Sequence, residues 1–377
     1  MVTALAIAFI FGSAVLLAVP LGWLFKVHLL PGRYTHLDGM RAMAALMVVC
    51  AHYLPHAGMV IDRPVDNALG LTFGAVGVQI FFCITGFLFT RKAMNGPVDV
   101  NALMSSRVRR IMPLYLVAMT LGITLTIYIA RSVPGAPAAT VREVVSVYAF
   151  GFVAPRMPSV AGMSVGGQLG QIWTLGWEWW FYALVPFMAA LLARPWWVMA
   201  ALAVIVASLV ATFDGSLLPG AFFLPGIVCA LLEKRVRPAG TTRVVLTMIG
   251  VFAFVVSLSL DAPIYGLKQM ALCTIGFPAL LFGHRALLSI KPLRLLGEVS
   301  FSIYMLHLIV VSIFWVFVQV WSDASAYRTP REKLPMAMLF LAGLFVLSFV
   351  SYVVVERPFV GRSKGGNGGV VSAARPG

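Results

Sequence analysis

From Pro335 to Val355 the chain carries no charged residue, and apolar runs of this kind recur along its whole length. A run of about 20 such residues is long enough to cross the hydrocarbon core of a bilayer as a helix. In lipid every backbone N–H and C=O must be satisfied within the segment, so a continuous apolar run has to be helical there. Comparable runs occupy 1–24, 39–56, 70–90, 111–130, 172–193, 195–213, 217–233, 243–260, 265–283, 298–320 and 335–355. The expected fold is therefore an all-α, polytopic membrane helical bundle of about eleven spans. The piece 141–154 is too short and interrupted to span, and reads as an interfacial or re-entrant helix.

Charge supports this and sets an orientation. Only 11 % of the residues are charged, against about 25 % in an ordinary soluble domain. The net charge of +15 would suit a nucleic-acid binder, but the basic residues alternate with the apolar runs and form no single stripe. They report topology and contact with membrane lipid, and no nucleic-acid partner is expected. With the 91–110 loop placed in the cytoplasm, nineteen Lys and Arg fall on that side and eight on the other, Arg41 being the remaining one of 28. The expectation is a multi-pass protein of the bacterial inner (plasma) membrane, N-terminus outside and C-terminus cytoplasmic. No Lys or Arg precedes Lys26, so the basic leader of a signal peptide is missing and 1–25 reads as a retained span. The Gly-rich tail, 361–377, reads as a disordered cytoplasmic segment.

One apolar run is interrupted in a patterned way. Leu37 to Tyr53 contains Arg41 and His52, eleven residues apart. On a helix that spacing returns both to nearly one azimuth, about 16 Å apart along the axis. Ionisable groups inside a span are costly enough to mark a site facing protein or a cavity. A structural alternative stays open: Arg41 as a snorkelling anchor with Asp38 as N-cap, and His52 as an interfacial histidine.

Further residues could join that face. Arg107 and Arg110 stand at i, i+3 just ahead of the 111–130 run, where their forked donors could clamp a phosphate or simply bind lipid headgroups. Glu178 lies among four tryptophans, Trp173, Trp177, Trp179 and Trp180, at roughly the depth of His52, so a Glu–His pair is geometrically allowed. The stretch GEVSFSIYMLH supplies Glu298 at one end of a span, Tyr304 and His307 within it, and Ser300 and Ser302 as interhelical hydrogen-bonding residues. Glu356-Arg357-Pro358 reads as the terminator and anchor of the last span. His28 and His36 read as loop residues. His52 and His56 are i, i+4, but no third ligand is near, so no metal is expected. Cys50, Cys83, Cys229 and Cys273 all fall in apolar runs and read as small buried residues.

The motifs in order resemble a known family. LDGMRAMAALMVVCAHY is similar to the Arg-x10-His signature of the acyltransferase-3 family of membrane O-acyltransferases, which modify bacterial surface sugars, nodulation factors and macrolides. VGVQIFFCITGFLFTRK resembles its second helix, RVRRIMPLY its Arg-x-x-Arg element, IWTLGWEWWFY its Trp-Ser-Leu-x-x-Glu segment and LGEVSFSIYMLH its late Tyr-x-x-His helix. The likeness runs over 34–360 and implies ten family spans, with 1–25 as an extra N-terminal one. It implies an acyl-CoA donor, acetyl-CoA in the first place, and a carbohydrate or glycolipid acceptor. His52 would be the catalytic residue, as general base or transient acyl carrier. Arg41, Arg107 and Arg110 would serve the donor and Glu178 would support the site, with Asp38, Tyr304, His307 and Glu298 as a second tier. Thr174 stands where the family has serine, and Trp179 where a second Glu often follows. Two rivals remain: a secondary transporter using Arg41, His52 and Glu178 as a relay, which should show inverted repeats, and a lipid-binding scaffold.

Overall fold

A computed structural model describes residues 2–29, 34–56, 64–149, 151, 157–193, 219–260, 263–321 and 330–360. The helices that matter here are α1 (Val2–Leu24), α2 (Thr35–His56), α3 (Pro64–Met94), α4 (Val100–Ala130), α5 (Val141–Ala149), α6 (Trp173–Leu192), α7 (Leu224–Leu232), α8 (Thr241–Ser259), α9 (Leu267–Phe282), α10 (Lys291–Glu298), α11 (Ser300–Trp321) and α12 (Pro330–Ser351). Among the described residues, seven helices are long and apolar enough to cross a membrane, and an eighth arises if α10 and α11, bent by 68° at their junction, count as one. Two shorter apolar helices, Pro219–Leu232 and Leu267–Phe282, fall under that length. The expected count of about eleven is thus not reached among the described residues. The run at 195–213 and the 361–377 tail lie outside them.

Burial ranks the helices. The spans of α2 and α3 are 72 % and 78 % buried in protein, against 33 % for α1 and 17 % for α8. Because α2 has the lowest mean hydropathy of the spans, 1.2, it belongs in the middle, where other helices and not lipid receive its polar groups. Close approach of α2 and α3 depends on Gly77, where an added Cβ would stand 2.6 Å from Ala44 O. On the other flank of α3, a Cβ on Gly226 of α7 would meet Cys83 O at 1.9 Å. Small residues at such crossings let backbones pack tightly where no hydrophobic drive separates helix from lipid.

Two parts of the long connection before α6 are structured. Thr140 and Glu143 form a reciprocal capping box at the start of α5, Thr140 N–H donating to Glu143 Oε2 at 2.8 Å and Glu143 N–H to Thr140 Oγ1 at 3.3 Å. The backbone N–H of Thr140 thereby holds the Glu143 carboxyl below the usual carboxylate range. A two-residue hairpin follows, pairing Ser159 with Ser164 and Val160 with Met163. Its turn residues Ala161 and Gly162 both have positive φ, 53° and 74°, as such a tight hairpin turn requires.

Several boundaries differ from the sequence expectation. Helix α4 begins at Val100, not near 111, capped by Asp99, whose side chain accepts from Ala102 N–H at 3.1 Å. Helix α2 begins at Thr35, so Asp38 sits in the first turn instead of at the cap, and His36 is helical and buried instead of being in a loop. The last span runs on through a π-turn at Tyr352–Glu356, and Glu356 is buried against the Ser302 hydroxyl instead of anchoring an end.

Candidate functional site

Five helices, α2, α3, α4, α6 and α11, enclose a cavity of about 340 Å³. Arg41, Lys92, Arg107 and Arg110 gather at one end with Glu178 and Tyr182, and the remaining wall is mostly aromatic and aliphatic. On α3 the lining runs from Val78 to Lys92, about 21 Å of helix. The cavity is therefore long and narrow, basic at one end and apolar toward Val78, Phe81 and Tyr304.

Arg41, Arg107 and Glu178 each have a defined neighbour. Arg41 Nη1 lies 3.2 Å from Asp38 Oδ1. The Arg107 guanidinium lies 5.1 Å from the centre of the Phe89 ring and 5.8 Å from that of Tyr182, within range for cation–π attraction. Tyr182 donates its hydroxyl to Glu178 Oε2 at 2.8 Å. Arg107, Arg110 and Arg41 are the cations that act on Glu178. Arg91, by contrast, is matched outside the cavity by Glu233 at 2.9 Å. The lining holds four cations and one carboxylate, and even with Asp38 beside Arg41 the positive charges outnumber the negative, which suits the basic end to an anionic ligand.

At the apolar end the Tyr304 hydroxyl donates to Gln171 O at 2.9 Å and shares a 2.8 Å contact with Thr174 Oγ1. One turn further along α11, His307 is fully buried. Its Nε2 lies 3.3 Å from Nδ1 of His52, and the two rings are 5.0 Å apart between centroids. Cavity, Tyr304, His307 and His52 thus follow one another away from the arginines.

The family profile described as an acyltransferase domain matches residues 34–356. The chain belongs to the acyltransferase-3 family. Two relatives agree. It is 26 % identical over 307 residues to the exopolysaccharide production protein ExoZ of Rhizobium meliloti (strain 1021), covering 78 % of this chain and 92 % of that one. It is 27 % identical over 372 residues to acyltransferase MdmB of Streptomyces mycarofaciens, covering 86 % and 91 %. No solved structure matches. The protein is accordingly a multi-pass membrane O-acyltransferase, and α1 precedes the part that matches the family.

Within this acyltransferase domain the sequence-derived residues fall into two groups. Arg41, Arg107, Arg110, Glu178 and Tyr304 line the cavity together. His52 and His307 meet beyond its apolar end. The pairing of Glu178 with His52 is not what the structure shows: Glu178 bonds Tyr182, and the ring beside His52 is His307. The expected common depth does not hold: Glu178 stands with Arg41, Arg107 and Arg110 at the basic end, whereas His52 lies beyond the apolar end. Glu298, at the end of α10, accepts from the Tyr352 hydroxyl at 2.7 Å and does not line the cavity. The side chain of His56 lies outside the described residues. Lys92 and Tyr182 were not singled out from sequence. Lys92 is hidden among the basic residues at the end of its span, whereas Tyr182, four residues after Glu178 on one helix face, carried a readable signal.

Proposed function

We propose that the protein moves an acyl group, acetyl in the first instance, from acyl-CoA to a hydroxyl of a cell-surface glycan or glycolipid. The observation that carries this is the cavity with four cations at one end and an apolar end that abuts Tyr304 and the histidine pair. Coenzyme A carries its charge in phosphates at one end and its thioester at the other, so a long cavity of this polarity complements it. The Lys and Arg bias supports a basic end on the cytoplasmic side, where acyl-CoA is found, with His52 toward the outer face of the inner membrane.

In this reading Arg107 and Arg110, with Arg41 and Lys92, hold the phosphates, and Glu178 with Tyr182 fixes the arginines. The pantetheine arm lies along α3, bringing the thioester toward Tyr304 and the histidines. The Nδ1 of His52 faces Val48 O at 2.9 Å, and a carbonyl only accepts, so Nδ1 carries the proton and Nε2 the lone pair. Nε2 takes the proton of the acceptor hydroxyl as its oxygen attacks the thioester carbon. The carbon–sulfur bond breaks, the thiolate leaves, and the imidazolium returns the proton to sulfur, giving CoA thiol and an O-acyl ester. A carbohydrate acceptor is supported by likeness to ExoZ, an exopolysaccharide production protein.

Equilibrium binding to the purified full chain tests the donor half. CoA is expected to bind at least ten times more tightly than pantetheine, which lacks the phosphates of the nucleotide end. Equal affinity for the two would remove the phosphate role of the basic end.

A further inference from the structure

His307 does more than fill space beside His52. Its Nδ1 faces Tyr304 O at 2.7 Å, again a carbonyl, so Nδ1 bears the proton and Nε2 carries the lone pair of the neutral ring. That lone pair is turned on His52 Nδ1 at 3.3 Å. The direction of the bond is thereby fixed by two helix carbonyls: His52 Nδ1–H is shared between Val48 O and His307 Nε2. Among the described residues, the titratable groups beside His307 are His52 and Tyr304.

We infer that His307 is the positioning residue of the reaction, a neutral imidazole standing where a carboxylate orients the histidine of other acid–base sites. This rests on His52 being the base. While His52 is neutral, the bond from Nδ1–H to His307 is an ordinary one that sets the ring plane. Once Nε2 has taken the acceptor's proton, Nδ1–H belongs to an imidazolium and the bond becomes charge-assisted, hence stronger. An interaction that strengthens only as the proton moves raises kcat and leaves donor binding alone. Such a relay needs no buried negative charge, which suits a site between membrane helices.

The test compares wild type with His307→Leu, which removes the acceptor, His307→Gln, whose amide oxygen can replace it, and His52→Ala. Steady-state transfer from radiolabelled acetyl-CoA is measured in vesicles of the producing cells. Expected are a fall in kcat of about 10- to 100-fold for His307→Leu with KM within about twofold, and recovery of most of that loss in His307→Gln. If Leu does not accumulate, His307→Met, which also lacks the acceptor, takes its place. The second readout needs no substrate. In 15N-histidine-labelled full chain in bilayers, the His52 Nδ1 resonance is expected to be protonated, to correlate with His307 Nε2, and to shift in His307→Leu but little in His307→Gln. Absence of that correlation, or wild-type kcat in His307→Leu, overturns the inference. Wild-type transfer by His52→Ala instead overturns the base reading beneath it.

Discussion

Tyr182 and Glu178, one turn apart on α6, are joined by a 2.8 Å hydrogen bond in the wall of a cavity that holds four cations. Removing the hydroxyl leaves a half-buried carboxylate short of a donor, at a cost of about 1 kcal/mol. Tyr182→Phe is therefore expected to lower the melting temperature of the purified protein and to weaken donor binding. A variant with wild-type melting and wild-type KM would show that the bond does not organise the cavity.

Arg107 and Arg110 share one face of α4 because that helix starts at Val100 and carries both. Replacing both with alanine is expected to raise KM for acyl-CoA by about 10- to 100-fold, kcat falling less, since phosphate binding is felt equally in ground and transition states. Lysine at both positions should recover only part, because it lacks the planar fork. Kinetics in expression-matched membranes decide this, and a pure kcat defect would count against the assignment.

Gly77 is the contact that lets α3 lie against α2. Gly77→Leu is expected to separate the helices and to lower both thermal stability and transfer, as the methyl alone would stand 2.6 Å from Ala44 O. Gly343→Ala on α12, where nothing lies within 4 Å, should be neutral or stabilising by about 0.4–1 kcal/mol. Equal melting of the two variants would remove the argument for close approach.

Tyr304 closes the apolar end of the cavity through Gln171 O and Thr174. Tyr304→Phe keeps the ring and removes the hydroxyl; since Gln171 O still accepts from Thr174 Oγ1 at 3.1 Å, the predicted cost is that of one ordinary hydrogen bond, about 0.5–1.5 kcal/mol. Thr174→Ser keeps the hydroxyl, so near-wild-type transfer is expected. If Thr174→Ser were as impaired as Thr174→Val, the methyl and not the hydroxyl would be the group that matters.

Much of this was legible in the residues for one physical reason: lipid demands long apolar helices and penalises every stray charge. That rule exposes α1, α2, α3 and α12, and the common azimuth of Arg41 and His52. It misplaced the start of α4, because Arg107, Arg109 and Arg110 depress the hydropathy of a helix that begins about two turns earlier, at the Asp99 cap. The meeting of His52 with His307 spans 255 positions of sequence, and no local spacing encodes it. The Glu178–Tyr182 bond is different: its i, i+4 spacing on one helix face is local and legible in the sequence.

The measurement that tests the account most directly is transfer of label from radiolabelled acetyl-CoA in inverted membrane vesicles, wild type against His52→Ala at matched expression. Label is expected in a membrane glycan or glycolipid with wild type, with loss of about 10²-fold or more in His52→Ala. Transfer by His52→Ala at the wild-type rate would contradict it, leaving the histidine pair structural and the base elsewhere.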